Sequence, residues 1–220
     1  MPLYTRLKNL SKTISILITV AKELLTVDVD GVLADTVGKI NSIREKDIKR
    51  IIRKEEITDY DLTKTDPYRG LEWESIEAYF KKAWANYNDL QLEDPEIPEI
   101  ISKLHDHYII LLVTASVAED EQIKNWLKKN NIPYDELVHL NRQVKKLKNI
   151  ATIHIEDYYE LAIQMPANMT VLLLKQPWNE KFFVNGYNSH ANVVLMNNWH
   201  EIYDYLTKRA LSKEKNIVKA

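Results

Sequence analysis

The sequence predicts an α/β protein built on a doubly wound parallel sheet, with a small helical cap inserted after the first strand. Three observations point there. Short apolar runs rich in β-branched residues recur along the chain, and they are nearly continuous rather than alternating, as in strands covered on both faces. Helix-like segments separate them, and strand–helix alternation of this kind builds a parallel sheet. One stretch, residues 36–94, breaks the alternation: it is charged, aromatic and helical in pattern, with no convincing long strand.

In chain order, the strand-like runs are LLTVDV at 24–29, YIILLVTA at 108–115, TIHIE at 152–156, TVLLLK at 170–175 and NVVLM at 192–196. The helical segments between and after them cover 97–107 behind Pro95 and Pro98, 118–130, 158–165 and 199–211. The segment EDEQIKNWLKKNN carries acids early, lysines late, and Asn130-Asn131 just before Pro133, which are start and stop signals of a helix. The 36–94 insert holds Tyr60, Tyr68, Trp73, Tyr79, Phe80, Trp84 and Tyr87. Placed after the first strand, it is predicted to cover the carboxyl edge of the sheet, where ligands bind in open α/β folds. The expected division is therefore an N-terminal extension (1–23), a core (24–35 with 95–212), a cap (36–94) and a C-terminal tail (213–220).

Composition narrows the function. With 45% hydrophobic residues in 220, the chain has material for a substantial core. A net charge of −2 argues against a surface that grips nucleic acid as a whole. The absence of cysteine excludes disulfides, thiolate metal sites and cysteine nucleophiles. The run ISILITVAKELL at 14–25 follows Arg6, Lys8 and Lys12, but its apolar part stops at Lys22-Glu23. That is too short to span a bilayer, and no small-x-small cleavage site follows. A cytoplasmic protein without a membrane anchor is the expectation.

The chemistry is expected at strand ends. In LLTVDVDGVLAD, Asp28 and Asp30 stand two apart where an apolar run stops, and Gly31, one of only four glycines, follows. Alone, such a pair is better read as a solvated acidic turn. Held close, two acids repel unless a proton or a cation intervenes, and a hard divalent ion with oxygen ligands resolves the conflict. The second strand ends in LLVTAS, placing Thr114, Ala115 and Ser116 at the same edge, as a helix cap or a phosphate seat. The third run ends in Glu156-Asp157, and a basic stretch with Arg142, Lys145, Lys146 and Lys148 lies just upstream. His105, His107, His154, His190 and His200 show no spacing that argues for a metal, and His154 alternates into a strand as buried structure.

In order, then, the chain presents acid-x-acid, hydroxyl, lysine and acid pair. This set resembles the haloacid dehalogenase superfamily of phosphohydrolases, over residues from about 24 to 196. DVDGVLAD matches that family's first motif, Thr114 the second, Lys145 or Lys146 the third (Lys146 favoured by its spacing to the acids) and Glu156-Asp157 the fourth. The GVLAD form, the modest helical insert and the tail KQPWNE…NNWHEI are similar to the 5′(3′)-deoxyribonucleotidases and their phage and bacterial relatives.

The resemblance implies a Rossmann-like core and a Mg²⁺-dependent phosphatase for nucleoside monophosphates. It casts Asp28 as nucleophile and Asp30 as general acid and then base. It places Mg²⁺ on Asp28, the Asp30 carbonyl and Asp157, with Glu156 behind or as an alternative ligand. Thr114, the Ala115 N–H and Lys146 would hold the phosphoryl group. Trp73, Trp84 and Tyr87 are the candidates for stacking on a base, against the competing role of cap core. The implied partner is a small phosphate monoester; a homodimer is compatible. Two other readings remain: a phosphatase for nucleic-acid 3′-phosphate ends or small phosphometabolites, and a non-catalytic binding protein of this fold. Acids in the insert (Glu72, Glu74, Glu77) disfavour nucleic-acid ends, and the intact set Asp28, Asp30, Thr114 and Asp157 disfavours a relic.

Overall fold

A computed structural model describes residues 22–140, 152–184 and 190–219. Six parallel strands form one sheet in the order β3-β2-β1-β4-β5-β6. They are β1 (Glu23–Asp28), β2 (Tyr108–Thr114), β3 (Glu136–His139), β4 (Ile153–Glu156), β5 (Thr170–Leu174) and β6 (Val193–Met196). The principal helices are α1 (Thr36–Ile48), α2 (Trp73–Ala85), α3 (Ile97–His105), α4 (Asp120–Lys129), α5 (Tyr159–Ala162), α6 (Glu180–Val184) and α7 (Trp199–Lys219). No helix among the described residues is long and apolar enough to cross a membrane.

The apolar runs became strands because both sheet faces are covered. Leu25, Val27, Ile110, Leu112, Ile153, Ile155 and Leu172 are all fully buried in one cluster with Trp126, Trp199 and Leu206. Each such side chain contributes roughly 1.5–3 kcal/mol relative to exposure. The five expected strands appear close to their expected places. The unexpected one, β3, is a four-residue edge strand whose side chains stay partly exposed, so it leaves no continuous apolar run to read.

Strand order reverses between β1 and β4, which pair through Val27 and Ile155. A crevice opens outside the carboxyl ends of strands at such a reversal. Asp28 ends β1 beside Val113 of β2, so Asp28, Thr114 and Glu156 arrive at one edge.

The chain leaves β1 and returns toward α3 through two adjacent connections. Ala34 bridges to Leu92, the Asp35 N–H donates to the Gln91 carbonyl at 3.0 Å, and the Glu93 N–H to Leu33 at 2.9 Å. Asp35 caps α1, accepting from the Gly38 N–H at 3.0 Å, and Lys49 ends that helix with φ of 53°. Val37, Ile40, Ile76, Tyr79 and Ala83 of α1 and α2 bury against Ile57, Leu62 and Tyr68, and Trp178 from the core closes the same cluster. Lys54 joins the insert to both connections, 2.8 Å from Asp35 and 2.6 Å from Glu93.

Candidate active site

Asp28, Glu156 and Asp157 each present an oxygen, and these atoms lie within 4.8 Å of one another. Glu156 and Asp157 are buried. Three carboxylates this close in a shielded place repel strongly. Burial first, then the charges of Glu156 and Asp30, push the Asp28 carboxyl well above the ordinary range. Burial, with Glu156 and Asp28, does the same to Asp157. Such a donor set fits a divalent cation with oxygen ligands.

Glu156 differs from its neighbours. Burial pushes it up, but hydrogen bonds reverse the balance and leave it below its usual value. Its Oε1 accepts the N–H groups of Asp157 and Tyr158, both at 3.0 Å, and His154 Nε2 lies 3.0 Å from Oε2. His154 is fully buried and braced by the Thr26 hydroxyl at 3.0 Å, which itself donates to the Ile153 carbonyl. The histidine is therefore a support beneath the acid.

The turn after β5 frames the site from the other side. Asn179 Nδ2 donates to the carbonyls of Asp157 and Leu174, each at 2.8 Å, and Gln176 Nε2 donates to the Gly31 carbonyl at 2.8 Å. Trp178 Nε1 donates to Asp157 Oδ2 at 3.0 Å, and Lys54 lies over the indole, 5.6 Å from its centroid. Gly31 is required here: its φ is +76°, and a Cβ would stand 2.3 Å from Asp157 Oδ2. The sequence offered KQPWNE only as part of a family likeness; the buttressing roles of Gln176, Trp178 and Asn179 depend on contacts across the sheet.

Asp30 sits one step outside the cluster. Burial pushes its carboxyl up, and hydrogen bonding from Ser116 and Trp84 pulls partway back. The Trp84 indole N–H donates to Oδ1 at 3.0 Å. Thr114 is buried, and its Oγ1 accepts the Ser116 N–H at 3.0 Å, leaving the hydroxyl proton for another partner.

A cavity of about 300 Å³ opens above these groups, lined by Asp28, Asp30, Thr114, Ala115, Ser116 and Glu156 below. Tyr60, Trp73, Phe80, Leu140, Tyr158 and Leu161 form its apolar walls. Tyr60 stacks on Tyr158 with ring centroids 3.8 Å apart. Although Tyr60 as a whole is 48% exposed, burial of its titrating end and then the charges of Asp157, Glu156, Asp28 and Asp30 push the phenol well up.

The three aromatic candidates from the sequence therefore separate. Trp73 lines the cavity and is 43% exposed. Trp84 is fully buried, edge-on to Trp126 with centroids 5.9 Å apart, and offers no free face. Tyr87 packs against the core outside the cavity lining. The stacking expectation is corrected for Trp84, whose burial uses the faces that a base would need; Tyr87, partly buried, is not among the residues that line the cavity. Tyr60, Phe80 and Tyr158 were not singled out, since nothing in their spacing separates a wall residue from a core residue. Arg142, Lys145, Lys146 and Lys148 lie outside the described residues.

The family described as "5′ nucleotidase, deoxy (Pyrimidine), cytosolic type C protein" matches residues 22–212. The chain belongs to this family. It is a phosphoric monoester hydrolase of the haloacid dehalogenase type. No curated protein matches the chain in sequence. Solved structures that share the fold include two family hydrolases. A haloacid dehalogenase-like family hydrolase from Streptococcus pneumoniae is 15% identical with a TM-score of 0.57, over 84% of this chain and 99% of that one. A family hydrolase from Deinococcus radiodurans with bound phosphate and sodium is 14% identical with a TM-score of 0.55, over 86% and 96%.

Proposed function

We propose that the protein hydrolyses nucleoside monophosphates with Mg²⁺ through an aspartyl-phosphate on Asp28. The observation that carries this is the convergence of three carboxylates on the floor of a cavity whose walls are aromatic. Mg²⁺ held by Asp28, the Asp30 carbonyl and Asp157, with Glu156 behind them, would neutralise charge on the phosphoryl oxygens.

In this reading Asp28 attacks phosphorus, and the P–O bond to the leaving group breaks in line. Asp30 gives its proton to the departing alkoxide. Because the Trp84 N–H occupies Oδ1, the proton is carried on Oδ2. Asp30 then takes a proton from the water that attacks the aspartyl-phosphate, restoring free Asp28 and releasing phosphate. Thr114 donates its hydroxyl proton to a phosphoryl oxygen, with the Ala115 N–H and Lys146 as further donors.

The cavity volume sits at the lower end of small-molecule sites, which suits one nucleotide better than a nucleic-acid end. Its walls are apolar and aromatic, complementary to a base rather than to a hydroxylated sugar. The family's description names deoxy and pyrimidine substrates, which supports a nucleotide here. The test is a panel of nucleoside 5′- and 3′-monophosphates against sugar phosphates, with and without Mg²⁺. Turnover of nucleotides above all sugar phosphates, abolished by chelation, is expected; the reverse order of substrates defeats the nucleotide assignment.

A further inference from the structure

The turn that follows Thr114 is held from outside by a side chain to which the sequence gave no role. His139 ends β3 directly beside Thr114 in register, and the next residue's N–H, Leu140, donates to the Thr114 carbonyl at 2.8 Å. Its ring makes two contacts. Nε2 lies 2.8 Å from the Ser116 carbonyl and Nδ1 lies 2.8 Å from Asp120 Oδ1. A backbone carbonyl only accepts, so the tautomer that bonds Ser116 carries its proton on Nε2. The side chain is 17% exposed, and Asp120 is the first residue of α4. One imidazole thus ties together a strand end, the turn and a helix start.

The turn is otherwise held by the Leu140 N–H on the Thr114 carbonyl and by Ser116 on Asp30. Its internal bonds are Ser116 N–H to Thr114 Oγ1 at 3.0 Å and Ala118 N–H to Ser116 Oγ at 3.2 Å. Thr114, Ala115, Ser116 and Val117 all line the cavity. In a trans peptide the carbonyl and the following N–H point opposite ways. Holding the Ser116 carbonyl against His139 therefore fixes the direction of the Val117 N–H, while the Leu140 N–H on the Thr114 carbonyl does the same for the Ala115 N–H. Donors to a phosphoryl group act through such preorganisation, because they do not reorient as charge shifts.

We infer that His139 is a positioning residue for the phosphate-facing turn 114–117, acting through its Nε2–H on the Ser116 carbonyl, with Asp120 setting the ring. It does not touch substrate. The inference rests on the phosphatase reading above.

Its test uses the full chain with Mg²⁺, p-nitrophenyl phosphate as substrate and orthovanadate as inhibitor. Glutamine at this position can place an amide N–H near the site of Nε2, whereas asparagine can reach only toward Asp120. His139→Ala and His139→Asn are expected to lower kcat/KM by about 10- to 100-fold, the scale of an ångström misplacement. They should weaken vanadate inhibition in parallel, with the half-saturating Mg²⁺ concentration unchanged. His139→Gln should stay within about threefold of wild type, having lost only the bond to Asp120. Equal losses in the Gln and Asn variants, or vanadate inhibition untouched in the Ala variant, overturn the inference and leave His139 as structural glue. If the Ala variant does not fold, the Gln–Asn contrast decides alone. A wild type that turns over no phosphate ester overturns the phosphatase reading itself, and this inference with it.

Discussion

The indole nitrogen of Trp84 lies 3.0 Å from Oδ1 of Asp30, linking the last turn of α2 to the acid just beyond β1. This contact gives a buried tryptophan a chemical duty in addition to packing. Trp84→Phe keeps most of the volume and removes the donor. The bond lowers the Asp30 pKa, so its loss raises it, and the limb of the pH–rate profile belonging to Asp30 should move to higher pH. A hydrogen bond to a charged group is worth about 1.5–3 kcal/mol, so kcat should fall by roughly 10- to 100-fold at neutral pH. A profile that coincides with wild type would leave Trp84 with packing alone.

Asp28 and Asp30 should separate by role. Asp28→Asn is expected to abolish turnover and to weaken Mg²⁺ binding, since an amide is neither a competent nucleophile nor an anionic ligand. Asp30→Asn should slow turnover by about 10²–10⁴-fold while Mg²⁺ affinity holds, because only its backbone carbonyl is assigned to the metal. Calorimetric titration of both variants with Mg²⁺ checks this; equal losses of affinity would refute the division.

Much of the sheet was legible because burial on both faces writes itself as uninterrupted apolar runs, as in YIILLVTA and TVLLLK. The strand-end acids were legible for a related reason: Asp28 and Glu156-Asp157 interrupt such runs abruptly, where only a special environment would keep charges. The edge strand β3 was not, because a half-exposed edge imposes no such pattern. Nor were His139 and Trp178, whose roles arise from contacts at long sequence separation: Trp178 meets Asp157 and His139 meets Ser116 only after the sheet has formed. The aromatics of the insert show the limit most clearly. Trp73 and Trp84 stand eleven positions apart on one helix, yet one faces the cavity and the other the core.

Gly31 and Gly70 form a matched pair for testing the close approach at Asp157. Both have positive φ, +76° and +82°, but a Cβ on Gly31 collides with Asp157 while one on Gly70 meets nothing within 4 Å. Alanine at either site should cost about 1–2 kcal/mol for the left-handed backbone. Only Gly31→Ala should also lose Mg²⁺ affinity and activity, since it displaces Asp157. Denaturant unfolding measures the shared cost, and metal titration the difference. Undiminished Mg²⁺ binding in Gly31→Ala would show that the ion does not depend on Asp157 where it stands.

Two partly buried glutamates should shape stability over different pH ranges. Burial raises Glu93 from 4.5 to about 7, against the opposing pull of Lys54. Between those values the folded protein keeps a proton that the unfolded chain has released, so stability falls as pH rises through about 4.5 to 7. Glu23 behaves oppositely. Burial would raise it, but hydrogen bonds from Arg209, Lys213 and Thr152 more than offset this and hold it at about 2. Its contribution is present above 4.5 and is lost as pH falls toward 2. Glu93→Gln should flatten the slope from pH 5 to 7 and leave the acid side unchanged; urea unfolding across pH 3–8 reads both. An unaltered slope in Glu93→Gln would place the titration elsewhere.

Substrate choice is the finest part of the proposal, and Trp73 tests it. The residue stands at the start of α2, lines the cavity beside Tyr60 and Phe80, and keeps 43% of its surface exposed. An exposed indole at a cavity mouth is not held there by core packing, so its removal should leave the fold nearly as stable. If a base rests on it, Trp73→Ala should raise KM for a nucleoside monophosphate and hardly change p-nitrophenyl phosphate turnover. Loss of one stacked base is worth about 1–3 kcal/mol, or roughly 5- to 150-fold in kcat/KM. Trp84→Ala supplies the contrast: emptying a fully buried site should cost about 3–5 kcal/mol of stability and impair both substrates together. Should Trp73→Ala also impair both substrates equally, the indole orders the insert rather than the base, and the wall residues Tyr60 and Phe80 become the place to look for base recognition.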